Sequence, residues 1–163
     1  MVTPPKPKLP SHNWAAATIF TAAFVLMGGI SGGILLLVGL AAHEAAHVFL
    51  AWIHGVQVYS AGVCFKGPFI LRDRARTNLA EVSIALAGPA ASLVFGVVLF
   101  AFPQTGFHWA GACNLLIGVT NLLPLPGSDG LRAGRALWAE VRERRLQETL
   151  PARATVLRLT ADL

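Results

Sequence analysis

Four apolar stretches run along this chain, separated by short segments where polar residues, glycines and prolines collect. They extend from about Trp14 to Ile30, Ile34 to Ile53, Leu79 to Phe102 and Phe107 to Leu123, close to the ~20 residues a helix needs to cross a bilayer. The first and last are the shortest. Residues 28–33 read Gly-Gly-Ile-Ser-Gly-Gly, and paired glycines break helices readily, so this segment predicts the turn between the first two stretches. Between the second and third, Val56 to Phe65 is rich in β-branched and aromatic residues. Lys66-Gly67-Pro68 then makes a turn and Phe69-Ile70-Leu71 returns as a second strand. The pattern predicts an all-α polytopic membrane protein of about four transmembrane helices, with a small β-hairpin between the second and third. Three regions follow: a disordered cytoplasmic lead-in over 1–13, a transmembrane core over 14–130 and a cytoplasmic amphipathic basic tail over 131–163.

Composition agrees with this class. Hydrophobic residues make up 55% of the 163 and charged residues 13%, and the mean hydropathy is +0.61, values foreign to a soluble domain of this size. Charge then sets orientation. Of the thirteen Lys and Arg, Lys6 and Lys8 precede the first stretch, Lys66, Arg72, Arg74 and Arg76 lie between the second and third, and the rest follow the fourth. The connectors at Gly28 to Gly33 and Pro103 to Gly106 carry none. Every basic residue thus falls on one side, which the positive-inside rule makes cytoplasmic, so the expectation is a multi-pass protein of the cytoplasmic membrane with both termini cytoplasmic. The pI near 10.0 follows from that orientation and from contact with the lipid bilayer, and nucleic acid need not be invoked. Cys64 and Cys113 read as packing residues, not as a disulfide.

Chemistry enters inside the second stretch. Ala42 to Val48 reads A-H-E-A-A-H-V. On a helix, His43 and His47 are one turn apart on one face, where both imidazoles reach a single tetrahedral Zn2+, and Glu44 is placed to act as general base on water at the metal. Two imidazoles and a carboxylate in hydrocarbon cost several kcal/mol unless paired or metal-bound, which favours function over accident. A third ligand must come from elsewhere. His54 lies on nearly the same face as His47 but about 10 Å along the axis, out of reach of the same ion, and reads as an interfacial histidine. Glu81 falls near the start of the third stretch, where a helix N-terminus favours a carboxylate. Asp129 is the better candidate. It sits in Asn121-Leu-Leu-Pro-Leu-Pro-Gly-Ser-Asp129-Gly130, where two prolines and two glycines break the fourth stretch, and broken backbone at membrane depth is tolerated where it lines a cavity.

His43-Glu44-x-x-His47, Leu86-Ala87-Gly88-Pro89-Ala90-Ala91-Ser92 and Asn121-Leu-Leu-Pro124 followed by Asp129-Gly130 occur in the order seen in the site-2 protease family of intramembrane zinc metalloproteases, which the chain resembles from about Gly39 to Leu137. The resemblance implies a three-helix catalytic core with one Zn2+ per chain on His43, His47 and Asp129, and Glu44 as catalytic acid and base. It further implies Asn121 as a substrate-positioning or oxyanion-side donor and close helix packing at Gly88 and Pro89. Ser128 stands where the family usually has leucine. No length remains for a PDZ or CBS domain, so the expectation is a minimal enzyme or one that works with a regulatory membrane partner or a second copy of itself.

The expected function is therefore hydrolysis of a peptide bond within or near a transmembrane segment of a membrane protein substrate, as in regulated intramembrane proteolysis. The alternative is a non-catalytic metal-binding membrane protein or helix-binding chaperone that retains the site. At ~1.5 Å per residue, His47 lies roughly 12 Å inside the cytoplasmic end of its helix, which predicts cleavage in the cytoplasmic half of the substrate's span. A helical substrate must unwind to expose its carbonyls. The strand at Val56, Val58 and Tyr59 is the expected holder of that unwound segment by strand addition, unless the hairpin only caps the bundle.

Overall fold

The computed structural model describes residues 13–64 and 67–161. Nearly all of the expected lead-in and the hairpin-turn residues Phe65 and Lys66 lie outside the described residues. In chain order the elements are α1 (Trp14–Ile53), β1 (Val58–Cys64), β2 (Gly67–Arg72), α2 (Asn78–Leu99), α3 (Thr105–Leu122) and α4 (Asp129–Ala161).

The first two expected helices form the single run α1, which is broken at Gly29, where φ is 70° and ψ 176°. That conformation is open to glycine and strained for other residues. Beyond the break the chain turns back on itself. A Cβ built on Gly33 would lie 2.9 Å from Val25 Cα, whereas in a straight helix the two would be separated by about 12 Å. The start of α1 accordingly meets the hairpin that follows its end, with Asn13 N–H donating to the Val63 carbonyl at 3.1 Å. The Gly-Gly-Ile-Ser-Gly-Gly turn packs on the start of α3, where Gly106 lies against Ser31 and Gly32. The two connectors without basic residues thus lie side by side.

Among the described residues, two helical runs, Ala17–Ile53 and Asn78–Leu99, are long and apolar enough to cross a membrane. α3 does not reach that hydropathy, because His108, Asn114 and Asn121 interrupt its apolar sequence.

α2 is the central helix and packs against α1, α3 and α4. Thr77 caps its start, the hydroxyl accepting from Ala80 N–H at 3.2 Å. The hairpin is antiparallel, and its register slips between Val58, opposite Arg72, and Ser60, opposite Leu71, so Tyr59 sits on a bulge. Beneath it, Ala51, Val56, Ala75, Ala80 and Ile84 form a small apolar core with Leu50 and Val58 packed on it. α1 ends in a left-handed cap: Gly55 has φ +64°, its N–H donates to the Trp52 carbonyl at 2.9 Å, and Val56 N–H donates to the Ala51 carbonyl at 2.8 Å. Val56 is thus spent on closing the helix and filling the core.

Candidate metal centre

Two helices deliver three buried side chains to one point. His43 and His47 stand one turn apart on α1, and their Nε2 atoms are 3.3 Å apart. Asp129 is the first residue of α4, and its Oδ2 lies 3.3 Å from His43 Nε2 and 3.2 Å from His47 Nε2. All three residues are no more than 7% exposed. Tetrahedral ligation with bonds of ~2.0–2.1 Å requires neighbouring ligand atoms ~3.3–3.4 Å apart. The observed triangle has these edges, and its two imidazoles and one carboxylate are the donor types zinc takes in catalytic sites with an open position. The donor set fits Zn2+.

The ring nitrogens that face away from the triangle are also held. His47 Nδ1–H donates to the Ile84 carbonyl at 2.7 Å, which leaves the Nε2 lone pair free for a ligand bond. His43 Nδ1 lies 2.9 Å from the hydroxyl of Ser92, which is fully buried. Ile84, Gly88 and Ser92 recur every fourth residue and so make one stripe of α2 against the imidazoles. At its centre, any Cβ on Gly88 would fall inside contact distance of both Nε2 atoms. Glycine there is what lets α2 approach.

Asp129 is fixed by the helix it begins. Ser128 Oγ accepts from Leu131 N–H at 3.2 Å and lies 2.5 and 2.9 Å from the carbonyls of Leu123 and Leu125, tying the helix start to the end of α3. A carboxylate in the first turn also faces the positive end of the helix dipole. Arg132 Nη1 is 4.0 Å from Asp129 Oδ1.

Two cavities meet at Glu44. A polar one of about 250 Å³ is lined by His43, Glu44, His47, Asn121, Asp129 and Arg132, with β2 residues Pro68 to Ile70 and Arg72 at its wall. The other, about 770 Å³, is lined almost wholly by apolar side chains, among them Phe20, Phe24, Leu36, Leu40, Leu116 and Ile117. Asn121 Nδ2 donates to the Ile117 carbonyl at 3.0 Å, which sets the amide against the polar cavity.

Of the strand expected to hold substrate, Ala61, Gly62 and Val63 line the apolar cavity. Val56, Val58 and Tyr59 line neither cavity. Val56 and Val58 belong to the core, and the Tyr59 hydroxyl donates to Asp73 Oδ2 at 3.0 Å. β2, not β1, flanks the polar cavity. It is held there by Arg72, whose guanidinium donates to both oxygens of Glu81 at 2.6 and 3.0 Å. Glu81 does lie in the first turn of α2, as expected. His54 is bonded to Ser83 Oγ at 2.8 Å, away from the triangle. Ser92, the Ile84 carbonyl, Arg72 and the Ser128 cap were not singled out from sequence. The fourfold spacing of Ile84, Gly88 and Ser92 was the one available signal.

No protein-family model matches the chain. It is 36% identical over 147 residues to the Mycobacterium tuberculosis protein named "Putative zinc metalloprotease Rip3", the match covering 77% of this chain and 37% of that one. It is 30% identical over 113 residues to "Zinc metalloprotease MJ0392" of Methanocaldococcus jannaschii, covering 64% of this chain and 33% of the relative. This chain thus spans little more than a third of the length of these relatives. The solved site-2 protease from Methanocaldococcus jannaschii shares its fold, with a TM-score of 0.62 at 24% identity over 77% of this chain and 65% of that one. With sequence kinship to zinc metalloproteases, this fold and a buried His-His-Asp group matched to zinc, the chain belongs to the site-2 protease family of zinc metalloproteases.

Proposed function

We propose that this protein is an endopeptidase that cleaves a peptide bond within or beside a transmembrane helix of another membrane protein. His43, His47 and Asp129 hold the metal and Glu44 is the catalytic acid and base. The observation that carries this reading is the position of Glu44: it adjoins the His-His-Asp triangle and is shared by a polar and an apolar cavity. Zinc, when bound, supplies Lewis-acid polarisation of a carbonyl and makes water more acidic. The Glu44 carboxylate takes the proton from the attacking water and later delivers it to the leaving amine nitrogen, so no net proton is consumed by the enzyme. Asn121, on the cavity wall, donates to the substrate backbone, and the Pro68 to Ile70 strand flanks the unwound segment.

The cavities also suggest a direction. Leu36, Leu37, Cys113 and Leu116 of the apolar cavity lie on the side of Glu44 nearer the Gly28–Gly33 turn, while the polar cavity and the other end of the apolar one are both walled by the hairpin, at Pro68 and Phe69. The substrate's apolar span enters from the first side and its cytoplasmic flank occupies the second. This agrees with a multi-pass protein of four crossings with both termini cytoplasmic, and with cleavage in the cytoplasmic half of the substrate's span.

Glu44→Gln tests the reading. Zinc content should be retained, while the comparison of membrane proteomes with wild type shows loss of substrate cleavage. Unchanged cleavage products would remove Glu44 from catalysis and favour a metal-binding or helix-binding role.

A further inference from the structure

α4 leaves the metal centre at Asp129 and presents two different sides. Toward α2, Ala133 and Ala136 are buried, and Asn78 Nδ2 donates to Glu143 Oε2 at 3.1 Å. At about 100° per residue, Glu140 shares that side, where it pairs with Arg144 at 2.8 Å. The opposite side carries Trp138, 66% exposed, and Val141, with Leu137 on its flank, all uncovered by the rest of the molecule. Arg135, Arg142 and Arg145 surround this apolar patch. The Arg142 guanidinium lies 5.6 Å from the Trp138 ring centroid, and among the described residues none of the three arginines has an acidic partner.

We propose that this side of α4 docks on an anionic bilayer surface. Trp138, Leu137 and Val141 enter the boundary between headgroups and acyl chains, and the three arginines bind headgroup phosphates. The inference rests on the membrane reading given under Proposed function. Trp138 stands about 13 Å along α4 from Asp129, close to the distance by which that reading sets the metal centre inside the cytoplasmic end of α1. The ring therefore arrives at headgroup level. Charge argues against a second copy as occupant, because isologous packing of this side would press arginine on arginine.

The test uses zinc-loaded protein reconstituted in phosphatidylcholine vesicles, with and without phosphatidylglycerol, and lipids brominated close to the headgroup. The quantity read is the quenched tryptophan signal that disappears in Trp138→Phe. It should be severalfold larger with phosphatidylglycerol, and that gain should vanish when Arg135, Arg142 and Arg145 are changed to Gln. Quenching that ignores both lipid charge and the arginines would overturn the proposal. So would an unquenched Trp138 in a vesicle-embedded, zinc-loaded protein, or shielding that appears only with crosslinks between chains. Protein that binds zinc but does not insert into vesicles would instead defeat the membrane reading on which the proposal rests.

Discussion

The hydroxyl of Ser92 lies 2.9 Å from His43 Nδ1, on the side of the imidazole facing away from Asp129. If His43 holds zinc through Nε2, Nδ1 carries the proton and donates to Ser92 Oγ, which fixes both tautomer and ring plane. Ser92→Ala should weaken zinc affinity by on the order of 10-fold to 100-fold in a competition titration against a chelator. Unchanged affinity would show that ring packing alone orients His43.

Gly88 faces both Nε2 atoms with no room for a methyl group. Gly88→Ala must push α2 away from α1 or turn an imidazole out of the triangle. We expect substoichiometric zinc and a loss of about 1–3 kcal/mol in stability, the usual cost of overpacking. Metal analysis together with thermal unfolding reads both, and full occupancy at normal stability would contradict the close approach.

Arg72 and Glu81 form a bidentate pair whose side chains are 10% and 14% exposed, and it fastens β2 to the first turn of α2. Removing one partner of a buried pair costs about 3–5 kcal/mol, because the other charge is left unmatched. Arg72→Met should therefore free the hairpin while the His-His-Asp group stays together. The expected signature is faster proteolysis within residues 58–72 and slower substrate cleavage, with zinc content unchanged.

Tyr59 is the single tyrosine of the chain, so its ionisation can be followed by ultraviolet absorbance without interference. The hydrogen bond to Asp73 and the negative charge beside it hold the phenol above its ordinary value. Because the folded value is the raised one, this contact stabilises the hairpin below the ordinary phenol range and is lost as pH rises through the folded value. Asp73→Ala should bring the titration back down. A midpoint that does not move would mean that the contact does not persist in solution.

Legibility from sequence followed the range of each interaction. The His43 and His47 pair is local, one helical turn, so the motif alone implied one face of one helix. Asp129 was legible for a related reason: Pro124, Pro126, Gly127 and Gly130 announce a break, and a break inside an apolar stretch exposes backbone that something must use. The hairpin was visible in its β-branched composition. Its facing was not, because which strand meets the polar cavity depends on Arg72 finding Glu81 across the fold. The place of Val56 in the core carried a local signal. Gly55 directly after the helical run marks a left-handed cap, and the residue after such a cap usually packs back on the helix it closes. Ser92 lay in plain view within the Ala-Gly-Pro segment, but its partner is on another helix, and no periodicity in α2 names His43.

The position of Asp129 also sets a schedule. The two imidazoles share a turn of α1 and are in place as soon as that helix forms, whereas the carboxylate that completes the triangle is synthesised only after α2 and α3. Until the start of α4 folds back across α2, the chain has two of its three ligands. Zinc capture is consequently a closing event in biogenesis, and an ion so captured joins the earliest and latest parts of the core, closing a long loop whose ends would otherwise separate first. Starved of zinc, the protein should fail from the Asp129 end, with the helical hairpin of α1 the last part to let go.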